Sequence, residues 1–72
     1  MTEFYIRLKE IRRHRKKTLK ETADCLGIQL RSYQAYESGD REPNIARLIA
    51  LADFFDVSLD YLLGRTDTDP NL

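Results

Sequence analysis

Residue types able to make or break covalent bonds are scarce in this chain of 72 residues. His14 is the single histidine and stands in the basic run "HRKK"; Cys25 is the single cysteine, with no plausible base beside it in sequence, and no glycine-rich loop is present to cradle a phosphate. No CxxC pair or Cys/His cluster offers a zinc or disulfide route, so neither metal nor cofactor is expected, and Cys25 reads as a small, partly buried helix residue. Catalysis is therefore not the expected activity. What remains is contact chemistry, and one stretch stands out for it: "LGIQLRSYQAYESG", Leu26 to Gly39, has the dimensions of a turn and a short helix that could offer polar and basic side chains to an anion.

Against that stands a neutral charge balance, 12 basic residues and 12 acidic ones. The total hides an asymmetry: residues 1–36 hold nine Lys/Arg against four Asp/Glu, residues 37–72 three against eight, so the halves carry +5 and −5. Such a split fits a molecule in which one part faces an anion and the other does not; it also fits charges that merely solvate helix surfaces.

The elements that must position these residues follow from pattern. A chain this short makes one domain, buries only about 60% of the surface its unfolded form exposes, and must rest on apolar packing. Phe4, Leu8 and Ile11, spaced by four and three, predict an amphipathic helix from Glu3 to about Arg15. Thr18 followed by Glu21 fits a capping box, so a second helix begins near Leu19, and Gly27 ends it. Gly39 offers the same stop to a third, Gln29 to Ser38. Pro43 blocks continuation, Asn44 caps, and Ile45, Leu48, Ile49, Leu51, Ala52 and Phe55 predict the helix most central to the core, running to about Phe55. Ser58 caps a short fifth helix, with Leu59, Leu62 and Leu63 as its buried face and Gly64 as its stop.

The tail "RTDTDPNL" lacks a packing face and is expected to fray, leaving a domain over residues 1–65 and a flexible segment over 66–72. With no repeat, linker or alternating pattern, the chain reads as all α with five short helices. No run approaches the roughly 20 apolar residues of a membrane span, and the N-terminal charges follow the apolar residues, unlike a secretory signal. A reducing cytoplasm and no membrane partner are the expectation.

Ala23 four residues before Gly27, then "YQAYESG" and "REPNIARLIALADFFDVSLDYLLGR", resemble the Cro and phage-repressor type of helix-turn-helix domain, the xenobiotic-response-element family of prokaryotic and phage regulators. The likeness covers about Leu8 to Arg65 and implies a five-helix, lambda-repressor-like fold with the helix-turn-helix at helices 2 and 3. It also implies that helix 3 lies in the major groove of double-stranded DNA and that homodimers bind palindromic operators.

Residue by residue, Ala23 matches the small residue that lets helices 2 and 3 approach, Gly27 the turn glycine, and Tyr33 and Tyr36 the inward positions, their hydroxyls reaching the rim for a partner. Gln29, Leu30, Arg31, Gln34, Ala35 and Ser38 are left for DNA. Arg31 suits guanine O6 and N7, and Gln34 adenine N6 and N7; Arg31 on a phosphate is the alternative. Leu30 either touches a thymine methyl or packs at the helix start, and Gln29 stands where a Ser or Thr cap is common.

Leu19 replaces a glutamine frequent at the start of helix 2, and Lys16, Lys17 and Lys20 cluster at that end as phosphate ligands or, for "HRKK", as cations on the C-terminal dipole of helix 1. Lys16 and Lys17 replace a glycine and an apolar residue, so the loop is expected to differ in shape. Arg41 and Ser38 complete the phosphate set, although Asp40 and Glu42 flank Arg41 unless they turn away. Arg12 and Glu37 match an arginine and a glutamate that pair between helices 1 and 3. The resemblance thus implies a sequence-specific transcriptional regulator, a repressor by preference, with helix 5 and the tail as candidate dimer surfaces. A protein-interaction module of antitoxin or anti-repressor kind, using Leu30, Ala35 and the acidic helices against a protein partner, is the competing expectation.

Overall fold

The local rules settle where each helix starts. In the computed structural model, which describes residues 2–69, five helices appear: α1 (Phe4–His14), α2 (Leu19–Leu26), α3 (Leu30–Ser38), α4 (Ile45–Phe55) and α5 (Leu59–Leu62). No strand occurs among the described residues. The Thr18 hydroxyl accepts from the Glu21 N–H at 3.0 Å while the Glu21 carboxylate accepts from the Thr18 N–H at 2.9 Å, which completes the capping box. Asn44 and Ser58 cap α4 and α5 by accepting from the Arg47 and Tyr61 N–H groups. Basic Arg12, Arg13 and His14 fill the last turn of α1, the favourable end of its dipole.

One core unites these elements. Leu8 and Ile11 from α1, Ala23 from α2, Tyr33 and Tyr36 from α3, Leu51, Ala52 and Phe55 from α4, then Val57 and Leu62 are all buried. In α4 the core receives only Leu51, Ala52 and Phe55, with Leu48 partly buried against them; Ile45 is 75% exposed and Ile49 45%. The expectation that both isoleucines lie in the core is thus corrected. Ile45 sits in the first turn, and Ile49 lies a helical step off the 48–51–52–55 stripe. Leu59, expected inward on α5, is likewise 39% exposed while Leu62 is fully buried.

The second difference lies at the chain's end. Residues 66–69, expected to fray, are tied down: Arg7 of α1 is 3% exposed, and its Nη1 donates to the carbonyls of Tyr61 at 2.7 Å and Thr66 at 2.9 Å. Its Nη2 donates to Asp67 Oδ1 at 2.8 Å and to Thr2 Oγ1 at 3.2 Å, and the guanidinium lies 4.0 Å from the centre of the Tyr61 ring. Asp69 accepts from the Ser58 N–H at 2.7 Å. Residues 70–72 of the expected flexible segment lie outside the described residues. Gly64 closes the same corner at φ +79, and its Cα is approached so closely by the Thr2 carbonyl that an added Cβ would stand 1.8 Å from that oxygen.

Candidate nucleic-acid interface

Between α2 and α3 the chain reverses within three residues because Gly27 takes a left-handed conformation, φ 68 and ψ 30. Its N–H bonds the Asp24 carbonyl at 3.0 Å, and that of Ile28 bonds the Ala23 carbonyl at 3.1 Å. An added Cβ at Gly27 would meet nothing within 4 Å, so backbone conformation alone selects glycine here. Ala23, 1% exposed, is the buried contact beside that turn.

Helix α3 is then locked in rotation from its inner side. Arg12 Nε donates to Glu37 Oε2 at 2.6 Å and Nη2 to Oε1 at 3.1 Å, a two-point pairing. The Tyr33 hydroxyl, inside the core and not at the rim, donates to Glu37 Oε2 at 2.5 Å. The hydrogen bond with Glu37 raises the Arg12 pKa, and burial followed by the bond to Glu37 pushes the Tyr33 phenol well up. Both shifts keep the guanidinium charged and the phenol protonated, as donors to the shared carboxylate. Tyr36, 4% exposed, finds its partner on α4, where Arg47 Nη1 donates to its hydroxyl at 2.9 Å.

The outward residues of α3 divide between two hollows. Gln29, Arg31, Ser32, Ala35 and Arg41 line one; Gln34 and Ser38 line the other, with Lys9, Arg12, Arg13, Leu19 and Glu37. Arg31 and Gln34, neighbours at i and i+3 on the outer face, thus border different hollows. Gln29 makes no side-chain cap; its carboxamide oxygen instead accepts from Arg31 Nε at 3.1 Å and steadies that side chain. Leu30 is 43% exposed and Ala35 half-buried. Ser38 spends its hydroxyl proton on the Ala35 carbonyl at 3.1 Å. Arg41, Asp40 and Glu42 are exposed, and no ion pair joins them among the described residues.

The lysines before and within α2 are more committed than their cluster in sequence suggests. Lys20 pairs with Asp24 at 3.0 Å, and Lys17 Nζ lies 5.3 Å from the centre of the Phe54 ring. Lys16 is exposed and takes φ 59, the left-handed region that a glycine supplies without strain. Lys16 thus accepts a backbone conformation that favours glycine, and Lys17 lies against Phe54. Beyond it the capping carboxylate of Glu21, its pKa lowered by the Thr18 backbone N–H, adds negative charge at the start of α2. Cys25, expected to be partly buried, is exposed. What desolvation it has pushes its thiol up, away from a reactive thiolate.

Three arginines and a lysine escaped the sequence reading. Arg7 and Arg47 bind partners far along the chain, which no local pattern reveals. Lys9 and Arg13 were legible in principle, being one helical turn apart on α1, next to the Arg12 that faces α3.

Two helices joined at a left-handed glycine, with the second held by a buried ion pair and presenting polar side chains outward, define the helix-turn-helix class. Residues 5–68 match the model of the helix-turn-helix domain family, and the chain belongs to that family. It is 49% identical over 59 residues to the HTH-type transcriptional regulator AnsR of Bacillus subtilis, covering 82% of this chain and 51% of that one. With the cryptic phage CTXphi transcriptional repressor RstR of Vibrio cholerae it shares 43% identity over 65 residues, 90% of this chain and 58% of the relative. The crystal structure of a transcriptional regulator from Listeria innocua superposes with a TM-score of 0.81 at 32% identity, over 86% of this chain and 58% of the other. The chain spans about half the length of the curated relatives it matches.

Proposed function

We propose that this chain is the DNA-reading part of a transcriptional regulator, a repressor, which lays α3 in the major groove and acts as a homodimer on a two-fold symmetric operator. The observation that carries the reading is the hollow on the outer side of a locked helix, where Arg31 is steadied by Gln29 and flanked by Ala35 and Arg41. A guanidinium held there suits the two acceptors of a guanine edge, with Gln29, Leu30 and Ala35 beside it on the neighbouring bases and Arg41 on the backbone. Gln34 opens toward Leu19 and Ser38, so its carboxamide serves the base at the border of the groove, with Ser38 and Lys16, Lys17 and Lys20 near the passing phosphates. The names of the relatives support the regulatory role and, for RstR, repression.

Selection from a library of random duplexes is expected to enrich a two-fold symmetric motif, and Arg31→Ala to relax preference at one position per half-site by about 1 to 3 kcal/mol. No enrichment at low salt would sink the proposal. Leu30 at 43% exposure and the donorless Leu19 favour one other reading, a protein-contact module. Under that reading Leu30→Glu abolishes capture of a protein partner, in the presence of nuclease, while duplex binding is absent from the start.

A further inference from the structure

Two of the three lysines near the start of α2 already have a neighbour within the chain. Lys20 is paired with Asp24, Lys17 rests on Phe54, and Leu19 has no side-chain donor, which leaves Lys16 and two backbone N–H groups of the first turn to meet a phosphate strand there. A duplex held on α3 must pass this end, because Leu19 borders the same hollow as Gln34 and Ser38. Cations beyond these lysines would strengthen the hold on a strand that passes there.

We infer that α1 supplies them, through Lys9 and Arg13, as a second set of phosphate contacts alongside the C-terminal half of α3; this rests on the DNA-reading proposal above. Both side chains line the hollow with Gln34 and Ser38, and both are exposed. Neither pairs with a carboxylate among the described residues, in contrast to Arg7, Arg12, Lys20 and Arg65. Standing at i and i+4, they present one ammonium and one guanidinium head on one stripe of α1.

Two carboxylates share the surroundings, and neither cancels them. Glu37 is 5% exposed and already bridged by Arg12 at 2.6 Å, while Glu10 turns toward Arg7 at 3.8 Å. The residue that fixes α3 in rotation, Arg12, lies between Lys9 and Arg13 in sequence, so the phosphate contacts and the reading helix move as one body. Such contacts set register on the duplex and carry no sequence information.

The test needs no operator, because phosphate contacts act on any sequence. Binding of the full chain to a short duplex of mixed sequence is followed from 50 to 200 mM salt, for the unaltered protein, for Lys9→Gln with Arg13→Gln, and for Arg65→Gln, an exposed control that lines neither hollow of α3. Each lost contact lowers the slope of log affinity against log salt by about 0.9, so the double variant is expected to lose about 1.8. Its melting temperature stays unchanged, the preference found by library selection stays the same, and Arg65→Gln keeps the full slope. A double variant with the full slope overturns the inference and leaves the reading intact, as does a control that loses as much slope per charge removed. Failure of the unaltered protein to bind any duplex at 50 mM overturns the reading and the inference together.

Discussion

Two arginines five residues apart on α1 do similar work toward different parts of the molecule, and they differ in what they leave behind. Arg12 reaches inward to Glu37, a carboxylate with 5% exposure, and so fastens α1 to the helix that presents the candidate reading surface. Arg7 reaches to the carbonyls of Tyr61 and Thr66 and to Asp67, whose side chain is 73% exposed, and so fastens α1 to the end of the chain. In the first case the partner is a charge that water cannot reach. In the second it is a carboxylate already solvated and two carbonyls, one in α5 and one just beyond it. Burial of the partner, more than the count of hydrogen bonds, separates a fastening that holds the fold from one that holds a segment.

The comparison breaks most sharply at Arg12. Arg12→Met strands Glu37 with only the Tyr33 hydroxyl, and removing one member of a buried ion pair costs about 3 to 5 kcal/mol. For a chain of this length the whole stability is on the order of 4 to 11 kcal/mol, so urea denaturation is expected to show a large drop in midpoint or an unfolded protein. The paired replacement of Arg12 and Glu37 by apolar residues of similar size is expected to recover much of the loss, since no buried charge is then left. A single variant that loses less than about 1 kcal/mol would show that Glu37 is hydrated in solution.

Arg7→Met is the smaller break, about 1 to 3 kcal/mol, because an exposed carboxylate pair is worth little and what is lost is neutral: two carbonyl bonds, the Thr2 hydroxyl and the stacking on Tyr61. Its signature is location: amide exchange is expected to quicken around Gly64 to Asp69 and at Thr2, which shares the corner, while α2 and α3 stay protected. Exchange quickening first in α3 would make the two arginines equivalent and remove the distinction.

The same contrast explains what could be read from the residues alone. The five helices and their caps were legible because Thr18 with Glu21, Asn44 and Ser58 act within one turn of themselves, and Gly27 and Gly39 mark stops that only φ above zero permits. The Arg12 and Glu37 positions came through family resemblance, not through any local signal. Arg7 had neither aid: apart from Thr2, the acceptors of its hydrogen bonds lie 54 to 60 residues away, and an arginine one position before the core residue Leu8 looks like a solvated flank. The exposed Ile45 and Ile49 were misread for the complementary reason, since an apolar helix does not declare which of its turns overhangs the core. At the candidate interface the outward residues of α3 were legible as a set, but their division between two hollows depends on where α1 and the segment around Arg41 pass, which is tertiary information.

A third bond of Arg12 yields the finest test. Its Nη1 donates to the Lys17 carbonyl at 3.0 Å, so the network that locks α3 also holds the turn in which Lys16 is forced to φ 59. A non-glycine residue held left-handed costs roughly 1 to 2 kcal/mol, part of which glycine gives back through the freedom it has in the unfolded chain. Lys16→Gly is therefore expected to stabilise the fold by about 0.5 to 1 kcal/mol, read as a rise in melting temperature. The same change removes the one uncommitted cation before α2, so duplex binding is expected to lose about 0.9 from its salt slope while the protein becomes more stable. A variant that gains stability and keeps the whole slope would place Lys16 away from the DNA. A variant that loses stability would mean that the turn is held by the lysine side chain and is not merely tolerated by it.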